Sequence, residues 1–303
     1  MNTLVGMPMR GEAATIALAR RGLAIFFLCL IALSAPLEVR LVTSASLEGE
    51  AIAIVALMFA PATASIVSRL VLREGFADVS FRLFGSAGIR AGTIGIAFAL
   101  FVGVFAYITA WALGLANFQS PIPEESALHL GSAPMNLAIQ LVLAITLGTL
   151  ANSFGVIGEE VGWRGYMLTR LIEGQFPMPI FLSGVLWSAW HLPLVFAGHY
   201  AVVGGHTFAS AGLFTIGTIA AGYVAAHVRL SSGSVWPAVV AHAAWNSIIQ
   251  GTFDRATQGT SIAVGESGYL TCMFSIVFAV VLYRVSPLGG SRQSCSDGLR
   301  SGP

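Results

Sequence analysis

Residues 135–170 read MNLAIQLVLAITLGTLANSFGVIGEEVGWRGYMLTR. The first part is mostly apolar and has the character of a bilayer-spanning helix. Glu159, Glu160 and Arg164 then follow within the same stretch. Ionisable side chains at membrane depth cost about 2.5–3.5 kcal/mol each on insertion scales, so they are functional candidates wherever they occur.

The composition places this stretch in a membrane. The 303 residues are 56% apolar and 10% charged, with a mean hydropathy of +0.81. A soluble domain carries roughly 25% charged residues. A water-soluble enzyme and a disordered chain are both excluded, and a net charge of +1 gives no reason to expect a nucleic-acid partner. Cys29, Cys272 and Cys295 lie far apart, without metal-ligand spacing or an even framework, so no structural disulfide is expected.

A spanning helix needs about 20 mostly apolar residues. Eight stretches qualify: Leu23–Val39, Ala51–Leu72, Ala91–Ala116, Met135–Arg170, Pro179–Gly198, Phe208–Val228, Val235–Gly251 and Ser261–Tyr283. The expected fold is an all-α polytopic bundle, one transmembrane domain over residues 1–290 with a disordered tail at 291–303. Met135–Arg170 is too long for one simple span, so Met135–Thr149 is expected to be an extension or a separate helix. Gly75–Gly88 mixes polar and apolar residues and reads as an interfacial helix or loop. Arg20 and Arg21 before an apolar run resemble a signal peptide. Pro36 would follow the cut, so the segment is read as a retained first helix.

Three polar groups sit in three different spans: Glu159, Glu160 and Arg164; Trp187 and His191; His242 and Asn246. Glu160 and Arg164, at i and i+4, share a helix face and can pair. Glu159 then points about 100° away and is left for chemistry. At 1.5 Å rise per residue, His191 lies roughly 18 Å from the cytoplasmic start of its helix, Glu159 about 16 Å, and His242 roughly 10–14 Å. The groups therefore share a depth. A carboxylate beside a histidine can hold and deprotonate water. A histidine with an asparagine amide can donate to a developing oxyanion. The same groups could instead bind a divalent metal such as zinc, and the residues do not separate the two routes. A single membrane histidine is more often a helix-packing hydrogen bond than a catalyst; it is the matched depth of three groups that favours a site. His199, His206 and His227 read as solvated or interfacial, Glu124 and Glu125 as a solvated loop pair. Trp163, Trp187, Trp190 and Trp245 read as walls of a cavity.

Glu159-Glu160-x-x-x-Arg164, the aromatic-x-x-x-His run ending at His191, and His242-x-x-x-Asn246 resemble the CAAX protease and bacteriocin-processing (CPBP, or Abi) family of intramembrane proteases. The resemblance covers Asn152 to Ile249, and includes Gly165-Tyr166, Leu192-Pro193 and Gly233-Ser234-Val235-Trp236-Pro237. Trp187 stands where phenylalanine is commoner. The resemblance implies an eight-helix bundle with a conical cavity open to the cytosol and to lipid. It also implies that Glu159 activates water, His191 helps to hold it, His242 and Asn246 form the oxyanion site, and Glu160 and Arg164 support the glutamate. Members are often labelled metalloproteases, and a metal-free glutamate mechanism is equally compatible with the motifs. The expected partners are the lipid bilayer and a peptide or protein substrate. A bacterial member would not be expected to meet prenylated protein. Two other readings are a transporter, against which no two-fold repeat is visible, and a catalytically silent immunity or scaffold protein.

Arginine asymmetry orients the chain. Arg10, Arg20, Arg21, Arg69, Arg73, Arg82, Arg90, Arg170, Arg229, Arg284, Arg292 and Arg300 fall on one side, and Arg40 and Arg255 on the other, with Arg164 inside a motif. This positive-inside bias makes both termini cytoplasmic in a multi-pass cell-membrane protein. A topology reporter fused after Arg292 should read cytoplasmic and one inserted beside Glu124 external. The reverse pattern would overturn the orientation.

Overall fold

The computed structural model describes residues 10–44, 47–82, 85–199, 207–259 and 261–288. Eight helical rods run through these residues. They are α1 (Arg10–Thr43), α2 (Ala51–Leu72), α3 (Ser86–Ala112), α4 (Ala133–Glu173), α5 (Pro179–Phe196), α6 (Thr207–Ser232), α7 (Trp236–Trp245, continued by a π-helix over Asn246–Phe253) and α8 (Tyr269–Val285). The first six are each long and apolar enough to cross a membrane, and α8 is a shorter apolar helix. Leu28, Leu150, Phe154 and Val280 point outward from the bundle. With no hydrophobic force between helices in lipid, such an apolar exterior is the expected surface of a membrane bundle. The protein is a multi-pass helical membrane protein.

The long polar-bearing stretch is one rod, so the residues from 135 to 149 extend α4 and do not form a separate helix. Two π segments, Ala144–Gly148 and Trp163–Met167, interrupt it. Single-turn π segments within α-helices occur often at functional sites. The tail at 291–303 and His206 lie outside the described residues.

Hydrogen bonds between connections define the two ends of the bundle. At the near end, which carries Arg10, the Arg20 guanidinium donates to the Gly174 carbonyl at 3.0 Å, and the Val235 N–H donates to Ser80 at 3.1 Å. At the far end, His199 Nε2 lies 2.8 Å from the Leu41 carbonyl, and Asn117–Phe118 pairs antiparallel with Thr257–Gln258. The connection between α2 and α3, read from sequence as interfacial, is drawn inward: Val79 is fully buried and Asp78 pairs with both Arg69 and Arg170.

Packing places α4 between α2 and α7, with α5 and α6 packed together. Glycines on one face of α4 let α2 approach. A Cβ at Gly158 would lie 2.7 Å from the Met58 carbonyl oxygen, and one at Gly162 would lie 2.3 Å from the Pro61 Cβ. Gly184 and Gly222 do the same for α5 and α6, where a Cβ on Gly222 would fall 3.1 Å from the Gly184 Cα. One wall of the core, built on α3, α7 and α8, is filled by Phe98, Val102, Tyr107, Ile248 and Phe253. The other, on α1 and α4, holds Phe26, Trp163, Tyr166 and Met167.

This geometry sets a contrast. Gly162→Ala should lower the melting temperature in detergent, since overpacking typically costs about 1–3 kcal/mol. Gly11→Ala, where a Cβ meets nothing within 4 Å, should leave it unchanged or raise it. Equal behaviour of the two would show that the α2–α4 contact is looser than its geometry.

Candidate active site

The face of α4 opposite its glycines carries the polar residues. Glu160 and Arg164 sit one turn apart, both fully buried, with Arg164 NH1 2.8 Å from Glu160 Oε1. The same oxygen lies 2.9 Å from His242 Nδ1 on α7. Glu160 is therefore a bridge between two helices as well as a partner within its own. The remaining guanidinium surface of Arg164 lies over the Trp187 indole, 4.1 Å from the ring centroid, where the ring quadrupole attracts the cation.

Trp187 has a second contact. Its Nε1–H donates to Glu159 Oε2 at 3.2 Å. One turn further along α5, His191 Nδ1 is 2.9 Å from the Trp187 carbonyl oxygen. A carbonyl only accepts, so Nδ1 carries the proton and Nε2 is the basic nitrogen of the neutral ring. The ring packs edge-on against Trp190, whose indole is held in turn by Ser34 on α1 at 2.9 Å. Trp187 also packs edge-on against His242, with centroids 5.1 Å apart.

Glu159, His191, His242 and Asn246 all line one cavity of about 450 Å³. Three tryptophans, Trp187, Trp190 and Trp245, form part of its wall. The Glu159 carboxylate lies within electrostatic reach of both imidazoles. The six residues singled out from sequence thus divide into two layers. Glu159, His191, His242 and Asn246 face the cavity, while Glu160 and Arg164 lie behind them. The chemistry available in such a pocket is proton abstraction from water by a carboxylate, with imidazole and amide groups placed to bind a polarised oxygen.

As to metal, no group of three or more His, Cys, Asp or Glu side chains among the described residues is gathered to hold an ion. Glu160 Oε1 is committed to Arg164 and His242, and His191 Nδ1 to a carbonyl.

Several side chains differ from their sequence reading. His227, expected to be solvated or interfacial, is 1% exposed, because α6 runs on to Ser232 and keeps it inside the bundle. His199 caps the end of α1 and lines the cavity. Arg69, Arg170 and Arg229, counted as flanking charges, are buried. Trp187 was read as a wall; the structure makes it the hydrogen-bond donor to Glu159. The spacing of Trp187 four residues before His191 was the signal for its direction, but nothing in sequence pairs it with Glu159. Gln250, Asp254 and Glu266, which carry no motif, also line the cavity.

Residues 140–248 match the family model described as type II CAAX prenyl endopeptidase Rce1-like. This segment, which contains all six of the selected residues, is similar to that family. No curated protein matches the chain.

Arg164→Ala would leave Glu160 buried beside His242 without its main countercharge. Breaking a buried pair typically costs about 3–5 kcal/mol. The variant should melt well below the wild type in detergent. Replacing both partners, Glu160→Gln with Arg164→Met, should recover part of the loss, since no lone charge is then left. A normal melting temperature for Arg164→Ala would show that the pair is not structural.

Proposed function

We propose that this protein is an intramembrane endopeptidase that hydrolyses a peptide bond with water activated by Glu159. The single observation that carries the reading is the cavity shared by Glu159, His191, His242 and Asn246 inside a membrane bundle. The Rce1-like family supports a protease of the CAAX type.

In this reading Glu159 accepts a proton from a water held between its carboxylate and His191 Nε2. The resulting hydroxide attacks the scissile carbonyl carbon. The carbonyl oxygen gains the negative charge, and the Asn246 amide and His242 Nε2–H donate to it. The proton on Glu159 then passes to the departing amine as the C–N bond breaks. The Trp187 indole holds the Glu159 carboxylate in direction without neutralising it. Glu160 on His242 Nδ1 fixes that ring and balances charge when Nε2 is also protonated. Arg164 keeps Glu160 in place. Glu160, Arg164 and Trp187 are positioning residues. The chain over residues 1–290 forms one functional unit in this reading, with both termini in the cytoplasm.

Purified variants and a peptide library in detergent test the assignment. Glu159→Gln keeps the shape but loses the proton acceptor, so cleavage should fall to background with an unchanged melting temperature. Asn246→Ala should lower turnover by roughly 10²–10³-fold, as the loss of one oxyanion donor does, with little effect on stability. Exhaustive chelation should leave wild-type cleavage unchanged. Near-normal cleavage by Glu159→Gln would remove the glutamate as base, and loss of activity on chelation, restored by zinc, would replace the direct mechanism with a metal-assisted one.

A further inference from the structure

The cavity holds more acid than the proposed chemistry uses. Besides Glu159 it is lined by Asp254, which follows the π segment of α7, and by Glu266, which precedes α8. Each has one oxygen held by a neutral aromatic donor. The Trp245 indole N–H donates to Glu266 Oε1 at 2.8 Å. The Tyr107 hydroxyl donates to Asp254 Oδ1 and accepts the Gly265 N–H at 3.0 Å. Tyr107 is fully buried on α3, and Trp245 stacks on Phe98 with centroids 5.2 Å apart. Packing fixes both donors, so the two carboxylates are directed without being neutralised.

Asp254 and Glu266 lie within electrostatic reach of each other. Like charges held together in a site of low dielectric cost free energy, and a cation between them relieves it. Among the described residues none supplies one: no ion pair involves either acid, and no arginine lines the cavity. Elsewhere in the bundle the acids are matched. Asp78 pairs with Arg69 and Arg170, Glu74 with Arg170, and Glu160 with Arg164.

An independent observation comes from α8. Thr271 and Ser275, one turn apart, line the same cavity and are 2% and 0% exposed. Their hydroxyls have no hydrogen-bond partner. A helical Ser or Thr can satisfy itself on the carbonyl four residues back, as Thr146, Ser153 and Ser232 do here. Thr271 and Ser275 do not, which leaves two buried hydroxyls for a polar group inside the cavity.

We propose that Asp254, Glu266, Thr271 and Ser275 form a subsite for a cationic nitrogen group of the substrate, an ammonium or a guanidinium. This deepens the proteolytic reading and rests on it for the word substrate. Both groups carry several N–H donors and no acceptor, which suits carboxylate and hydroxyl oxygens left without donors of their own. The position of the subsite sets where the cation sits in the chain. Glu266 is tied to Trp245, the neighbour of Asn246, and Asp254 follows the eight-residue π segment that Asn246 opens. Such a segment is on the order of 10 Å long, which an extended peptide covers in about three residues. The substrate class is therefore a polypeptide with a Lys or Arg side chain, or a free amino terminus, within about three residues of the scissile bond.

The test reads binding in full-length Glu159→Gln in detergent, so that no peptide is consumed. The probes are alanine–leucine peptides with a fluorophore at the C-terminal end and an acetylated amino terminus, carrying one lysine or one Nε-acetyl-lysine at successive positions. A further pair without lysine differs only in a free or acetylated amino terminus. At the favoured position the charged peptide should bind roughly 10–100-fold more tightly than its acetylated twin, as hydrogen bonds to charged groups allow. Glu266→Gln and Asp254→Asn keep an amide oxygen for Trp245 and Tyr107 but lose the charge, and in each the ratio should fall towards one. Thr271→Val removes a hydroxyl and no charge; it should also lower the ratio, and it serves where an amide variant fails to fold. A preference for lysine assigns a side chain as the cation, and a preference confined to the free amino terminus assigns the terminus. Equal binding within every pair would overturn the subsite, as would a full ratio kept when Glu266→Gln and Asp254→Asn are combined. Charge preference in binding, with no probe cleaved by the wild type, would leave the subsite and remove the protease. Cleavage without charge preference would do the reverse.

Discussion

A single carboxylate oxygen, Oε1 of Glu160, fixes the relation of the helices around the site. Removing a carboxylate from water costs several kcal/mol even after relaxation, and its partners must offset that cost. Arg164 does so from one turn further along α4, and His242 does so from α7. The approach of α7 to α4 is thereby set by a hydrogen-bond length. Trp187 closes the arrangement from α5 by covering the guanidinium. On the opposite face, Gly158 and Gly162 leave no side chain to hold α2 away. Glu159 is the next residue along, about 100° around the helix axis. Its direction into the cavity is a consequence of where Glu160 has been placed.

The parts of this arrangement that depend on one helix were legible in the sequence. A charged fraction of 10% excluded a soluble fold, and apolar runs located the rods. Helical spacing alone paired Glu160 with Arg164. Contacts between helices were not legible in the same way. His242 is 82 residues from Glu160, and Trp187 is 28 from Glu159. Which side chains meet across such gaps depends on helix rotation, and the π segments change that rotation. Each adds to the turn over a few residues, as at Trp163–Met167 and Asn246–Phe253, so a pattern read with a fixed 3.6-residue period drifts after them. No proline or charge run marks either segment.

The connection between α2 and α3 failed to be legible for a different reason. Its acids, Glu74 and Asp78, look like ordinary loop charges, and Arg69, Arg170 and Arg229 look like the flanking arginines that set orientation. The three arginines are in fact buried against those acids and nearby carbonyls. What changes is the role of the arginines in the folded protein, which is to hold a loop inside the near end of the bundle.

The proposed hydrolysis within a bilayer gives that role a use. On the proposed mechanism water has to reach Glu159, so the cavity must be open to solvent at one end. If it were open at both, the same row of carboxylates and imidazoles would carry protons across the membrane. Trp163, Arg164 and Tyr166 are fully buried on the near side of the cavity, and Arg69, Arg170 and Arg229 hold Glu74 and Asp78 of the α2–α3 connection beside them. Arginine suits this closure because its guanidinium stays charged and can serve several acceptors at once. Arg69 reaches Asp78 and the carbonyls of Gly75 and Gly165 together. A lysine in that place would have a point charge on a flexible stem, with no planar group to lie on Tyr166. The chain's 15 basic residues are all arginine, so composition gives no reason to single out these three. Their burial and their multiple acceptors do: the described part of the loop is fixed from α2, α4 and α6 together, and moving it would require breaking ties to all three helices.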